Sequence, residues 1–346
     1  MKTFYIGLEN QLLMIQKNRN THEIFSHLEK FKVNRLVFDP EKTDWIYVAT
    51  DHGFWKSEDG GRSYMQMNHG LPTMNLTTIA VNHHKNLKGN HTLYVGTEPS
   101  MIFYSEDEGE SWGELKGIQD LPSKSSWSFP PRPESHYVRW ITPSTIDPDY
   151  LAVSIEAGAV IHTTDHGKTW RDRAEVGPID VHTLLKHPNA PTRLYAANGG
   201  MVSNHDRESY AESLDGGHSW EFNSTGLEKH PYLYHMVLHP NDPDLPLVSA
   251  SENASKAHRQ PAYSTVYLKN GAEDWVELAD GLPREGAYSH HLVHDPNSIG
   301  AFYALNNFGI YHLAADSTTW EKVDIPWTKD LAEMRPYFFK VVDHDR

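Results

Sequence analysis

Residues 57–64 read SEDGGRSY, and the chain repeats the pattern as SEDEGESW at 105–112, TTDHGKTW at 163–170 and SLDGGHSW at 213–220. Each copy places Ser or Thr, Asp, Gly, Ser or Thr, and then an aromatic at the same offsets. Chemistry needs a catalytic loop once, so repetition marks a structural unit. Gly permits a left-handed turn, and Asp, Ser and Thr side chains can hydrogen-bond its backbone. The octet therefore reads as a hairpin turn, with the closing aromatic anchoring it in a sheet.

The aromatics set a period. Tyr64, Trp112, Trp170, Trp220, Trp275 and Trp320 are spaced 48, 58, 50, 55 and 45 residues apart. That spacing suits a four-stranded propeller blade with loops of variable length. Each unit has an apolar strand ending near proline (NRLVFDP, 34–40; VRWITP, 138–143; HMVLHP, 235–240), then a strand of small residues (IYVAT, 46–50; LAVSI, 151–155). A third strand enters the octet, and a short fourth leaves it. The fold class is thus all-β, a single propeller domain over 1–346. Six units are complete. The N-terminal strands at about 3–29 lack a first strand, which 336–344 (PYFFKVVDH) can supply. Closure through both chain ends gives seven blades, with six as the alternative count.

Of 346 residues, 38% are hydrophobic and 11% aromatic, and the formal net charge is −15. Such a surface disfavours nucleic acid and anionic membrane as partners. The absence of cysteine excludes disulfides, thiolate metal sites and a Cys nucleophile. The opening MKTFYIGLENQLLMIQ has no apolar signal core, so the expectation is a soluble cytoplasmic protein.

The octets resemble the Asp-box, or BNR, repeat of β-propellers. IEAGAVIHTTDHGKTW (155–170) and DVHTLLKHPNAPTRLYAANGG (180–200) resemble bacterial propellers described as glycosyl-hydrolase-like or sialidase-like. Bearers of the repeat include glycosidases, sortilin-type receptors and a photosystem assembly factor. The resemblance therefore implies a fold more than an activity. A sialidase would need an Arg-Ile-Pro and an arginine triad. No Arg-Ile-Pro occurs here, and YVRW (137–140) does not replace it.

Propellers bind ligands at the mouth of the axial channel. Residues expected there are Arg35, Arg139, His182, His235 and His290 or His291 near first-strand starts, and Glu156 and Glu252 after second strands. His182, His235 and His290, with a carboxylate, could hold Zn, Mn, Fe or Ni and leave a position for water. Glu156, Asp180 and Glu252 are the candidate acid–base groups. The bland alternative is that each His pairs with a neighbour inside or between blades. Arg35 is a candidate substrate-binding residue, and Arg139 could either grip a carboxylate or phosphate of a small ligand or pair with Glu156 on the next strand. Trp127, in the long SSWSFPPRPESHY loop (125–137), could stack on a sugar or cover a blade edge. No organic cofactor motif is present. The expected function is hydrolase, lyase or isomerase chemistry on a small sugar-like or carboxylated molecule. A non-catalytic propeller that binds protein or glycan is the alternative.

Overall fold

The computed structural model describes residues 1–18, 21–200 and 209–343. Most of SNHDRESYAES (203–213), a long connection that the sequence places in blade 5, and His344, the end of the expected 336–344 strand, lie outside them. The chain forms seven antiparallel sheets in sequence order, a seven-bladed β-propeller with few helices. Blade 1 is built from both chain ends: Phe338–Asp343 pairs with Lys2–Gly7, then Leu12–Lys17, then His22–His27. Blades 2, 3 and 4 begin with Val33–Phe38, Leu76–Lys85 and Val138–Pro143; blades 5, 6 and 7 with Val181–His187, Tyr232–Leu238 and His291–His294. Blade 4 has three regular strands, and an isolated His162–Arg171 bridge stands where its fourth belongs.

The chain separates into two compact units. One contains blades 2 to 4, the first strand and most of the second strand of blade 5, and the fourth octet (30–196 and 212–221). The other contains blades 6, 7 and 1 with the rest of blade 5.

The octets fold alike. Asp165 Oδ1 accepts from the Thr163 hydroxyl at 2.8 Å and from the Thr169 amide at 2.9 Å, while Oδ2 accepts from the Thr169 hydroxyl at 2.6 Å. The Gly167 amide donates to Thr163 Oγ1 at 3.0 Å. Asp59, Asp107 and Asp215 make the same set. The glycine is required twice over at Gly109. Its φ is +92, and a Cβ there would sit 2.4 Å from the Phe54 ring.

Hydrogen bonds from Thr169 hold the Asp165 carboxyl down, at about 2 against an ordinary 3.8. A depressed carboxyl adds stability above its unfolded pKa, and this is lost as pH falls through the folded value. The melting temperature is therefore expected to fall between about pH 4 and pH 2. Asp165→Asn should lower it by a few degrees at neutral pH and flatten that acid limb, which thermal scans across pH would read.

Three of the closing tryptophans do more than anchor their own hairpin, since each staples its blade to the one before, whereas Trp170 donates to Gly167 O within its own octet at 3.1 Å. Trp112 Nε1 donates to Met67 O at 3.3 Å, and its ring meets Phe54 edge-on at 5.0 Å. Trp275 donates to Asn223 O and Trp320 to Leu278 O, both at 2.8 Å. Behind each staple runs a Gly-Leu pair that the repeat reading missed: 70–71, 226–227 and 281–282. These glycines have φ of +94, +99 and +86, and their backbone packs directly on the tryptophan carbonyl. The leucines are buried. The pairs were visible as a second fixed offset after the octet.

Candidate functional site

The first strands of blades 2, 3, 4 and 6 share a β-bulge near their start, which inserts one unpaired residue: Asn34, Thr77, Arg139 and Tyr234. A bulge re-aims its side chain. In blades 2 and 3 the freed side chain bonds the next blade: Asn34 Nδ2 donates to Leu76 O at 2.7 Å, and Thr77 Oγ1 to Val138 O at 2.6 Å. Arg139 breaks that pattern. Its Nε lies 3.4 Å from Glu156 Oε2 on the same blade.

Glu156 follows the second strand of blade 4, Leu151–Ile155, in a turn that holds Ala157 at φ +48. Left-handed backbone at a non-glycine residue is uncommon and gathers at functional positions. The Gly158 amide donates to Ile179 O at 2.7 Å, which ties this turn to the start of blade 5. That tie brings Glu156 beside Asp180 and His182. His182 Nε2 stands 3.4 Å from Glu156 Oε1 and 3.8 Å from Asp180 Oδ1. Exposure is 6% for Glu156, 4% for Asp180 and 1% for His182. Among the described residues, this is the one group of three or more potential metal ligands within mutual reach.

The group attracts positive charge. Burial disfavours the imidazolium, yet the Glu156 and Asp180 carboxylates outweigh burial and raise His182 to about 9. Burial also disfavours the Glu156 carboxylate, but His182 and Arg139 hold its pKa below the usual value. Glu156 Oε2 remains buried without a hydrogen-bond partner. Glu98, at the matching place in blade 3, differs. Arg132 Nη1 lies 2.9 Å from its Oε1, and the Ser135 hydroxyl donates to the same oxygen at 2.6 Å. The long 125–137 loop supplies both partners.

The other expected residues fall elsewhere. His290 is buried between the Ser264 hydroxyl at 3.0 Å from Nδ1 and the Asn306 amide at 3.1 Å from Nε2. Burial lowers its pKa to about 3. His291 Nε2 donates to Pro336 O at 3.0 Å, and the ring lies 5.2 Å from that of His235. His235 Nδ1 accepts from the Leu292 amide at 3.2 Å. Within its own unit, His182 has the Glu156 and Asp180 carboxylates as ligand-bearing neighbours. Glu252 is exposed and joins no such group. Trp127 is 4% exposed in the core of blade 4, with its indole N–H on Ser123 Oγ at 2.9 Å. It is a packing residue whose faces are covered. His187 and His239 behave as turn residues: each Nδ1 accepts a backbone amide at the strand end.

Arg35 stacks on Trp140, its guanidinium carbon 3.4 Å from the ring centroid. Trp140 was not singled out from the sequence. Blades 2 and 4 carry the same bulge, at Asn34 and at Arg139, so the residues that follow it, Arg35 and Trp140, match in register and Arg139 does not match Arg35.

No family model matches the chain, and no curated protein matches it. Solved structures do. An ancestral GH74 enzyme aligns with a TM-score of 0.65 at 15% identity, over 92% of this chain and 40% of its own. The GH74 enzyme of Niastella koreensis gives 0.62 at 14%, over 83% and 46%. YCF48 bound to D1 peptide gives 0.59 at 15%, over 87% and 82%. This chain therefore spans less than half of either GH74 enzyme and most of the length of YCF48. At these identities the likeness is one of fold: the chain is similar to β-propellers that include glycosidases and a peptide-bound protein.

Proposed function

We propose that the protein is an enzyme acting on a small molecule, with Glu156, Asp180 and His182 as its reaction centre and a divalent transition metal (Zn, Mn, Fe or Ni) as the group they hold. The observation that carries this reading is the convergence of three buried ligand atoms, all within 4.8 Å of one another, with Glu156 Oε2 outside any hydrogen bond and 3.4 Å from Arg139 Nε. A tetrahedral metal with bonds of about 2.0–2.2 Å needs ligand atoms roughly 3.3–3.6 Å apart. The 3.4 and 3.8 Å separations about His182 approach that spacing. Three protein ligands leave a coordination position open, the pattern of catalytic rather than structural sites. A bound metal would supply Lewis acidity or an activated water. Arg139 would then orient Glu156 and face the developing negative charge. Hydrolase, lyase or isomerase chemistry fits this set, and so does a cytoplasmic setting without organic cofactor.

Elemental analysis of the untagged protein, after incubation with each metal and exhaustive dialysis, tests the reading. About one metal per chain is expected, together with its loss in a Glu156→Ala, Asp180→Ala double variant. No retained metal would refute the metal site.

A second reading draws on the length match to YCF48, which the GH74 enzymes lack. In that case the chain is a non-catalytic propeller that binds a protein or glycan. Capture of a defined peptide or glycan by protein in which all three site residues are replaced would favour it.

A further inference from the structure

The proposed reaction centre has a neighbour whose charge is not accounted for. Arg35 is half-buried at the start of blade 2, and its guanidinium makes no hydrogen bond or ion pair with any described residue. Its contact is the face of Trp140, the residue after Arg139. Burial and the positive charge of Arg139 push its pKa down to about 9, and no carboxylate offsets them. It remains charged at neutral pH, with five N–H donors and no protein acceptor.

This is unusual placement for an arginine. Elsewhere in the same unit, Arg132 meets Glu98, and Arg193 meets Glu212 with Nε at 2.9 Å. The chain carries 46 acidic residues against 31 basic ones, so an acceptor would be easy to provide. Instead, Arg35 is set beside a second arginine on an aromatic platform.

We infer that Arg35, with Arg139, binds an anionic group of the ligand, a carboxylate or a phosphate, held in plane by Trp140. The ligand class is then a small organic acid or phosphate ester whose remainder extends toward Glu156 and His182. Stacking fixes the guanidinium plane, and the fork geometry suits bidentate binding of either oxyanion. The inference rests on the enzyme reading for what happens next to the anion, but the binding of the anion does not require the metal.

The test is thermal unfolding and calorimetric titration at constant ionic strength with sodium phosphate, sodium malonate and, as a neutral control, glucose. One of the two anions should raise the melting temperature saturably at millimolar concentration, and glucose should not. Preference for phosphate or malonate identifies the oxyanion. Arg35→Gln should weaken anion binding at least tenfold, and Arg35→Lys, which keeps the charge but loses the fork, by less. Both variants should bind as much metal as the wild type. If no anion stabilises the wild type, or if anions bind Arg35→Gln equally well, the inference is wrong. Binding that disappears on chelation but survives Arg35→Gln would place the anion on the metal and also overturn it. Arg35-dependent binding in a protein that holds no metal would leave the anion site standing and remove the metal reading. An arginine present for packing alone predicts a variant that melts several degrees lower and a wild type indifferent to every anion.

Discussion

His182→Ala should destabilise the protein by about 3–5 kcal/mol and abolish metal retention, the largest combined effect expected of one substitution. The imidazole stands between two carboxylates, and all three groups are more than nine-tenths buried. Removing it leaves Glu156 and Asp180 facing each other with Arg139 as the nearest counter-charge. Breaking a buried ion pair by deleting one partner strands a charge that water cannot reach, which is why the cost exceeds that of a surface pair. Urea unfolding at pH 7 reads the stability, and elemental analysis reads the metal. Asp180→Asn in the His182→Ala background should recover part of the lost stability by removing one stranded charge, without restoring metal. A stable His182→Ala protein that still holds metal would show that the imidazole is a bystander.

Trp320→Ala should cost a similar 3–5 kcal/mol for a different reason. The ring is 2% exposed and belongs to a core cluster with Leu282, Leu292, Phe302 and Tyr311. Its N–H reaches Leu278 O in the preceding blade, and its backbone carbonyl lies against Gly281. Truncation removes an indole from a packed interior, opens a cavity between two blades and leaves a carbonyl without its donor. Trp320→Phe should recover most of the packing but not the hydrogen bond, and so lose about 1–2 kcal/mol. Equilibrium unfolding of both variants separates the two contributions. The octet aspartates, which lie nearer the surface, should matter less than the tryptophans they position.

The fold was legible because its signals repeat. An octet copied four times, an aromatic at a blade-length period and unmatched strands at both ends led to seven sheets and to a blade made from both termini. The second function of the tryptophans was less visible, since an indole N–H reaching back 45 residues from Trp112 to Met67 leaves no local mark. The site was legible in part. Glu156, Asp180, His182, Arg35 and Arg139 were chosen as polar residues at positions where strands begin or end, and four of them come together around His182. His235 and His290 were chosen by the same rule but serve local bonds, with Leu292 and with Ser264 and Asn306. A first-strand histidine looks the same in sequence whether its partner is a carboxylate or a serine. Trp140 escaped because matching the strands on their arginines pairs Arg35 with Arg139, whereas the shared bulge pairs it with Trp140, and nothing in VRW marks a bulge. Trp127 misled because a tryptophan in a long polar loop is as able to fill a core as to meet a ligand.

The measurement that tests the central claim most directly is anomalous scattering from crystals of the protein grown with zinc or manganese. The expected result is one strong peak about 2.0–2.3 Å from Nε2 of His182 and from a carboxylate oxygen of each of Glu156 and Asp180. A map in which His182 bridges the two carboxylates through hydrogen bonds, with no peak between them at saturating metal, would contradict it.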